Sequence, residues 1–311
     1  MLGLLATCAF VLQNNHAAQQ QRTVVRLAPP SQEPLPSTTD EQNHKADATS
    51  QCTVVFVVSV GGTYSTQRTL ELLLALKKNT RAVGPACMHV LTDGPIAPTV
   101  LSQQAMLLNL RGTAPHVTHL PQQPTFGDLV SYINNNVTAA QPTDPPPIVI
   151  LANADIVVDF DSIFSCHKAP ALRAHLGSST LLALTRHPWP GCAGQSGGGS
   201  NPKLPQNLCT GSMPSGAVVN SADTFIFQAP LRLPHRAIQN LNFVQNIRGA
   251  ENRFLFHVKQ SGYAVQNPCA QLITHHLHCT QERAAKAGMA APRADARQSA
   301  TIPRTHLTCT G

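Results

Sequence analysis

A nearly continuous run of mostly β-branched residues over positions 53–60 is the strongest structural signal in this sequence, and it ends at Gly61 and Gly62. The run does not alternate polar and apolar residues, which is typical of a strand buried on both faces. Strands of this kind occur in parallel sheets that carry helices on each side. Residues 64–79 supply a first helix, because leucines recur there near helical spacing. The opening of the sequence therefore predicts an α/β fold.

The alternation of strand and helix patterns continues along the chain. Further strands are predicted at residues 88–91, 117–120, 148–152, 180–184, 217–227 and 263–266. Helices are predicted at residues 98–109, 126–134, 162–166, 234–245 and 250–260. Repeated units of this length predict a single domain built on a doubly wound, mostly parallel sheet. Ligands of such sheets bind beyond the carboxyl ends of the strands, so functional residues should follow Val60, Leu91 and Ala152.

The charge of the chain excludes one class of function. The chain has 22 Lys and Arg against 15 Asp and Glu, a net charge of +7, and the excess is spread thinly, without a basic block. A nucleic-acid-binding protein normally clusters basic residues and interleaves aromatic ones, whereas this sequence has only three Tyr and one Trp. We therefore expect no nucleic-acid partner. A mildly basic cleft for a phosphate-bearing small molecule fits the distribution better.

Composition divides the chain into four parts. Residues 1–12 are apolar, which is too short for a helix to cross the ~30 Å hydrocarbon core of a membrane. Their length suits the apolar region of a signal peptide, although the usual basic flank is missing. A secretory signal, a truncated membrane anchor and an uninformative start remain open. The four parts are an apolar leader (1–13), a disordered stem (14–51), a folded domain (52–283) and a disordered basic tail (284–311).

The cysteines indicate disulfides rather than a zinc knuckle, because none of the nine forms a CxxC pair. A Cys192–Cys209 disulfide would close a loop rich in Gly, Pro and Asn, and scattered buried thiols are the alternative. Asn136 begins an Asn-Val-Thr glycosylation sequon. Disulfides and glycosylation both favour the secretory pathway.

Acidic residues cluster directly after the predicted strand at 148–152. In extended chain the side chains of Asn153 and Asp155 point to the same face, where they can hold a divalent cation together with a ribose or a diphosphate. The alternative is an Asn/Asp turn that only ends the strand, with Asp161 capping the following helix.

Two further acids have two interpretations each. Glu251 lies in the first turn of the helix predicted at 250–260, and it can act as a general base if it projects into the cleft and partial burial raises its pKa. It can equally be a partner of the helix dipole or of Arg253. Asp223, flanked by apolar strand residues, either contacts substrate or satisfies buried backbone donors.

His275, His276, His278 and Cys279 form the densest cluster of metal-ligating residue types in the chain. In an extended segment His276 and His278 share a face, whereas His275 points the other way. A zinc hydrolase normally shows an HExxH spacing, which is absent here. We favour a single histidine that completes a metal site begun by Asp155.

These motifs resemble, in order along the chain, those of nucleotide-sugar-dependent glycosyltransferases of the GT-A fold, over roughly residues 53–283. The resemblance is carried by the helix from Arg68, by Asn153-Ala-Asp155-Ile156 with Phe160, by Ser221-Ala-Asp223 with Phe225-Ile-Phe227, by Gly249-Ala-Glu251-Asn-Arg253, and by Asn267-Pro-Cys269 leading to His276-Leu-His278 and Arg283.

The resemblance implies a role for each matched residue. The implied donor site consists of Arg68, Asn153, Asp155 and Arg283, with Mn²⁺ or Mg²⁺ bound by Asp155 and His278. Glu251 would deprotonate the acceptor in an inverting transfer, and the implied substrate contacts are Asp223, Asn252 and Arg253. The implied partners are a nucleotide-sugar donor and a glycan or glycoprotein acceptor. The implied location is the Golgi lumen, with membrane attachment through the N-terminus.

Two other functions stay open. The sequence departs from the family pattern at Asn153 and Asn252, where an acid is expected, and this favours a non-catalytic nucleotide-sugar or glycan-binding protein of the same fold. A metal-dependent hydrolase built around the histidine cluster is the third interpretation.

Overall fold

The computed structural model describes residues 52–61, 64–93, 115–138, 144–166, 169–190, 222–245, 247 and 249–280. These residues belong to one unit, Thr49–Gly311. Several predictions lie outside the described residues: the leader, the stem, the tail, the helix at 98–109, the Cys192–Cys209 pair and Arg283.

Within the residues that the structure describes, ten strands form two sheets. In chain order they are β1 (Val54–Gly61), β2 (Met88–Asp93), β3 (His116–Leu120), β4 (Ile148–Asn153), β5 (Ile156–Val158), β6 (Thr180–Leu184), β7 (His187–Pro188), β8 (Thr224–Gln228), β9 (Ala264–Gln266) and β10 (Thr274–His276). The large sheet has the order β3-β2-β1-β4-β8-β6-β9, and the small one has the order β5-β10-β7.

The large sheet is mostly parallel, as predicted. Strand β1 pairs in parallel with β2 and with β4, β2 pairs in parallel with β3, and β6 with β9. Strand β8 runs antiparallel to both of its neighbours, β4 and β6. The continuous apolar run of β1 therefore lies near the centre of the sheet, where both faces are covered.

Helices pack on the two faces of the large sheet. They are α1 (Thr66–Val83), α2 (Phe126–Tyr132), α3 (Phe160–Cys166), α4 (Ala169–Leu176), α5 (His235–Gln239) and α6 (Ala250–Gln260). Helix α2 continues into a π-helical turn, Ile133–Val137. Within the part of the chain that the structure describes, no helix is both long enough and apolar enough to cross a membrane.

Alternate residues of the strands build two separate cores. Val149 and Leu151 of β4 face a core that includes α2 and α6, whereas Ile148 and Ile150 face a core that includes α1, α3 and α4. The first core contains stacked aromatic rings, with the Phe126 and Phe254 centroids 4.6 Å apart. Helices on both faces confirm the predicted α/β architecture.

One predicted helix is wrong in length. The pattern at 234–245 predicted a helix, yet α5 ends at Gln239. The backbone carbonyl groups of Leu241 and Phe243 instead accept hydrogen bonds from the first two N–H groups of α2, those of Gly127 and Phe126, each at 3.0 Å. These N–H groups have no partner inside their own helix, so a tertiary contact satisfies them and draws residues 241–243 out of helical geometry.

Two smaller boundaries also differ from the prediction. The helix expected at 162–166 begins at Phe160, so the capping residue is Asp159 rather than Asp161, and its Oδ1 accepts from the Ser162 N–H at 3.1 Å. The strand expected at 217–227 begins only at Thr224 among the described residues.

Disulfides are present, as expected for this cysteine pattern. Cys52 and Cys87 are bonded and join the residues just before β1 and β2. Cys269 and Cys279 each take part in a disulfide bond as well. Covalent links of this kind restrict the unfolded chain and so favour the folded state.

A buried histidine of β2 lies opposite β3. His89 is 5% exposed, and its ring stacks on that of His116 at 4.6 Å. The His89 Nδ1 atom lies 2.9 Å from the hydroxyl oxygen of Tyr132, which also accepts a hydrogen bond from the Thr118 hydroxyl at 3.3 Å. Burial, together with the neighbouring His116, lowers the pKa of His89 from 6.5 to about 4.

The depressed pKa of His89 predicts a loss of stability in acid. His89 takes up a proton near pH 6.5 in the unfolded chain and only near pH 4 in the folded chain. Its contribution to the free energy of unfolding is therefore complete above pH 6.5 and is lost as the pH falls toward 4. The full loss is about 3 kcal/mol. Urea denaturation at about pH 7.5 and about pH 4.5 measures it, and His89→Gln should show a smaller difference between the two. Equal differences in both proteins would contradict the assignment.

Candidate functional site

The turn between β4 and β5 places Asp155 at the carboxyl edge of the large sheet. The segment Ile156–Val158 pairs antiparallel with β10, which sets His276 opposite Ile156. The Leu277 N–H also donates to the Asp155 carbonyl oxygen at 2.8 Å. Main-chain pairing therefore brings the histidine segment against a carboxylate that lies 121 residues earlier in the chain.

Asp155, His276 and His278 form a compact cluster of ligand atoms, all within 4.8 Å of one another. The Asp155 Oδ2 atom lies 2.9 Å from His276 Nε2 and 3.7 Å from His278 Nδ1. His275 packs instead edge-on against Trp189, 5.7 Å between centroids. The alternation predicted for this segment is therefore correct, but two histidines rather than one reach Asp155.

Arg68 holds the carboxylate of Asp155 from helix α1. Its Nη2 atom donates to Asp155 Oδ2 at 2.5 Å, and its Nη1 atom donates to Glu71 Oε2 at 2.8 Å and to the Leu277 carbonyl at 3.0 Å. Arg68 and Glu71 are each 5% exposed. Glu71 accepts in addition from the Thr280 N–H and hydroxyl, at 2.8 and 3.0 Å.

These contacts keep Asp155 ionised. Burial opposes its charge, but the hydrogen bond and charge of His276 and the charge of Arg68 outweigh burial and hold the pKa of Asp155 well below its usual range. Burial likewise opposes the charge of Arg68, and its pKa is nevertheless raised because Asp155 and Glu71 surround the guanidinium. The cluster thus presents a permanent carboxylate at the sheet edge.

A second polar group lies beside the first. Asn153 is the last residue of β4. Its side-chain amide nitrogen donates to Asp223 Oδ1 at 2.9 Å, and its backbone N–H donates to the backbone carbonyl oxygen of Asp223 at 3.0 Å. Arg186 Nη1 lies 2.9 Å from Asp223 Oδ2. Asp223 is 3% exposed, whereas the Arg186 side chain is 28% exposed.

Glu251 is in electrostatic contact with this second group. Burial, and then the negative charge of Asp223, raise its pKa to about 7, while its own backbone N–H and Arg186 oppose the shift. Gly249 precedes helix α6 with φ 87° and places Glu251 in the first helical turn. A carboxyl group with a pKa about 7 can accept a proton near neutral pH.

The structure places the predicted site residues in two groups. Asp155 lies 3.7 Å from His278 in the first group. Glu251 and Asn153 both interact with Asp223 in the second. Arg68 contacts Asp155, as described above.

Two predicted substrate contacts are placed next to Glu251 on helix α6. Asn252 is half-buried, and Arg253 lies with its guanidinium 4.9 Å from the centre of the Phe243 ring. The roles of all these residues stay predictions.

Three polar residues of the site have roles that the sequence analysis missed. Glu71 could have been found as the residue three positions after Arg68 on one helix face. Arg186 and Asp93 follow or end strands β6 and β2, where the fold predicts function. The room above Gly61 is filled by Asp93, whose Oδ1 would lie 1.4 Å from a Cβ at position 61. A side chain at position 61 would therefore collide with Asp93.

The donor set fits a divalent cation. Two ligand atoms about 2.1 Å from one ion are about 3.0 Å apart at a right angle and about 3.4 Å apart at the tetrahedral angle. The 2.9 and 3.7 Å separations from Asp155 Oδ2 bracket these values. Asp155, His276 and His278 would hold the ion, with further positions left for a ligand.

Among known proteins, only solved structures resemble this chain. No protein-family model matches it, and no curated protein matches it either.

Solved structures with a similar chain path include a mannosyltransferase from Pyrobaculum calidifontis in complex with GDP-mannose and Mn²⁺, at 12% identity and a TM-score of 0.37, over 71% of this chain and 55% of that one. Glucosyl-3-phosphoglycerate synthase from Mycobacterium tuberculosis is 14% identical at a TM-score of 0.38, over 73% and 72%. A putative glucose-1-phosphate thymidylyltransferase from Bacillus anthracis is 9% identical at 0.34, over 69% and 86%.

The chain thus spans about half the length of the first of these enzymes. Scores of this size carry no argument about this protein. Its α/β fold rests on the strand order and register given above.

Removing Arg68 should destabilise the fold. Arg68→Met leaves Glu71 and Asp155 without their shared cation in a buried site, and breaking a buried ion pair in this way costs about 3–5 kcal/mol. Arg81→Met changes an exposed arginine of the same helix and should cost less than about 1 kcal/mol. Urea denaturation of both variants measures the difference. Equal losses would show that Arg68 does not hold the site together.

Proposed function

We propose that this protein is a glycosyltransferase that moves a sugar from a nucleoside-diphosphate sugar to a hydroxyl group of a glycan or glycoprotein. The observation that carries the proposal is the meeting of Asp155, His276 and His278 at the carboxyl edge of the sheet. Ligands of open α/β sheets bind at this edge.

The Asp155 cluster would bind the donor. A bound Mn²⁺ or Mg²⁺ supplies positive charge that stabilises the departing nucleoside diphosphate. Arg68 fixes the Asp155 side chain, because a guanidinium with three hydrogen-bond acceptors around it cannot rotate freely. The site's own residues therefore orient the carboxylate before a donor arrives, which lowers the cost of binding.

Glu251 would act on the acceptor. Its carboxylate removes the proton from the acceptor hydroxyl, the hydroxyl oxygen forms a bond to the anomeric carbon, and the bond from that carbon to the diphosphate oxygen breaks. One direct displacement inverts the anomeric centre. Asp223, Asn252 and Arg253 are the proposed substrate contacts, with Arg283 and Asn153 on the donor side.

The cellular location is part of the proposal. The disulfides at Cys52, Cys87, Cys269 and Cys279 support an oxidising compartment. We infer the secretory pathway, with the Golgi lumen and attachment through the N-terminus as the specific expectation.

A second function, binding without turnover, is favoured by one observation. Asn153 replaces an expected acid and donates its side chain to Asp223, so it adds no negative charge for a metal. A non-catalytic protein of this kind would bind a nucleoside diphosphate and release no product from any nucleotide sugar.

Transfer from a panel of nucleotide sugars with Mn²⁺ or Mg²⁺ tests the function. We expect Asp155→Ala to lower kcat/KM by at least about 100-fold, since it removes a ligand of the metal that would hold the diphosphate. The exposed Asp161→Ala, close by in sequence, is the matched control and should retain activity. Full activity of Asp155→Ala would refute the donor site, and nucleotide binding without turnover would favour the second function.

The pH dependence tests the base. Because Glu251 must be ionised and its pKa is about 7, kcat/KM should rise as the pH passes through 7 and level off above it. Glu251→Gln should lower kcat by about 10²–10⁴-fold and remove this rise. A variant with an unchanged pH profile would show that another group accepts the proton.

A further inference from the structure

The ligand set of the Asp155 cluster is rich in nitrogen. Two of its three ligand atoms are imidazole nitrogens, His276 Nε2 and His278 Nδ1. Imidazole suits Zn²⁺, Co²⁺ and Fe²⁺, whereas Mg²⁺ prefers carboxylate, carbonyl and water oxygens. The chemistry of the donor set therefore separates these metals.

The positive charge of Arg68 beside the cluster also disfavours Mg²⁺ relative to a transition ion. Arg68 is ion-paired with both Asp155 and Glu71, so a buried cation already offsets part of the carboxylate charge that a metal would use. Mg²⁺ depends on carboxylate charge for its affinity and dehydrates reluctantly. A transition ion gains binding affinity from its bonds to imidazole as well as from charge attraction. The positive charge of Arg68 therefore lowers its affinity less than it lowers that of Mg²⁺.

Arg68 and His276 both hydrogen-bond to the Asp155 side chain at Oδ2. His276 is held by strand pairing at Ile156, so its nitrogen is aimed at the carboxylate by the backbone.

We propose that Asp155, His276 and His278 form a nitrogen-rich metal centre that takes a transition ion of the Zn²⁺ or Co²⁺ class in preference to Mg²⁺, with His276 as the residue that determines this selectivity. The inference rests on the proposed function in that it concerns the same site, and it refines the expectation of Mn²⁺ or Mg²⁺. Mn²⁺ should bind more weakly than Co²⁺ or Zn²⁺ and more tightly than Mg²⁺.

Metal binding to the full chain, measured without nucleotide or sugar, tests the inference. Chelator-treated protein is titrated with Co²⁺, followed by its visible absorption and by calorimetry, and Mg²⁺ is titrated separately. We expect one Co²⁺ per chain, bound at least about 100-fold more tightly than Mg²⁺. Affinities for Co²⁺ and Mg²⁺ within about threefold of each other would overturn the inference.

Two histidine variants identify the ligand. His276→Gln should weaken Co²⁺ binding by at least about tenfold and change the absorption spectrum, since a ligand atom is lost. His275→Gln is the matched control, because His275 is the preceding residue and its ring packs on Trp189 rather than toward Asp155. Circular dichroism and the thermal midpoint confirm that both variants fold.

The outcomes separate the metal inference from the proposed function. Loss of Co²⁺ in His275→Gln but not in His276→Gln would overturn the inference and move the ion to the neighbouring pair of His187 and His275, whose centroids are 6.1 Å apart. A selective Co²⁺ site in a protein that transfers no sugar would support the inference and count against the transferase. Sugar transfer that runs equally well with Mg²⁺, in a protein that shows no Co²⁺ selectivity, would support the transferase and overturn the metal inference.

Discussion

The buried guanidinium of Arg68 is the interaction on which the candidate site depends. It joins helix α1 to the Asp155 turn and to the Leu277 carbonyl, which lies 209 residues further along the chain. A buried arginine is tolerated only where acceptors surround it, and here Asp155, Glu71 and Leu277 provide them. The same cation that makes burial possible also fixes the carboxylate that faces the ligand.

The site divides its acids between two tasks. Asp155 lies among cations and imidazoles that keep it ionised, whereas Glu251 is half-buried, and its desolvation and the negative charge of Asp223 raise its pKa to about 7. One carboxylate is thus suited to bind positive charge and the other to exchange a proton. Environments that separate the pKa values of two carboxyl groups in this way are typical of acid–base sites.

The sequence predicted what local pattern controls and missed what distant contacts decide. The runs at 53–60 and 148–152 predicted β1 and β4 because continuous apolar residues require burial on both faces. The helix predicted at 234–245 was too long, because hydrogen bonds to α2 override local propensity. The ion pair of Arg68 with Asp155, the Cys52–Cys87 disulfide and the pairing of β5 with β10 depend on residues far apart in sequence, so no local pattern reveals them.

A crystal structure with a nucleoside diphosphate and Co²⁺ tests the central claim most directly, since the anomalous signal of cobalt locates the ion independently of the refined coordinates. We expect one peak bonded to Asp155, His276 and His278, with a diphosphate oxygen on the same ion and the nucleotide beyond the carboxyl ends of β1 and β4. A nucleotide bound elsewhere, or an ion that does not contact Asp155, would contradict it.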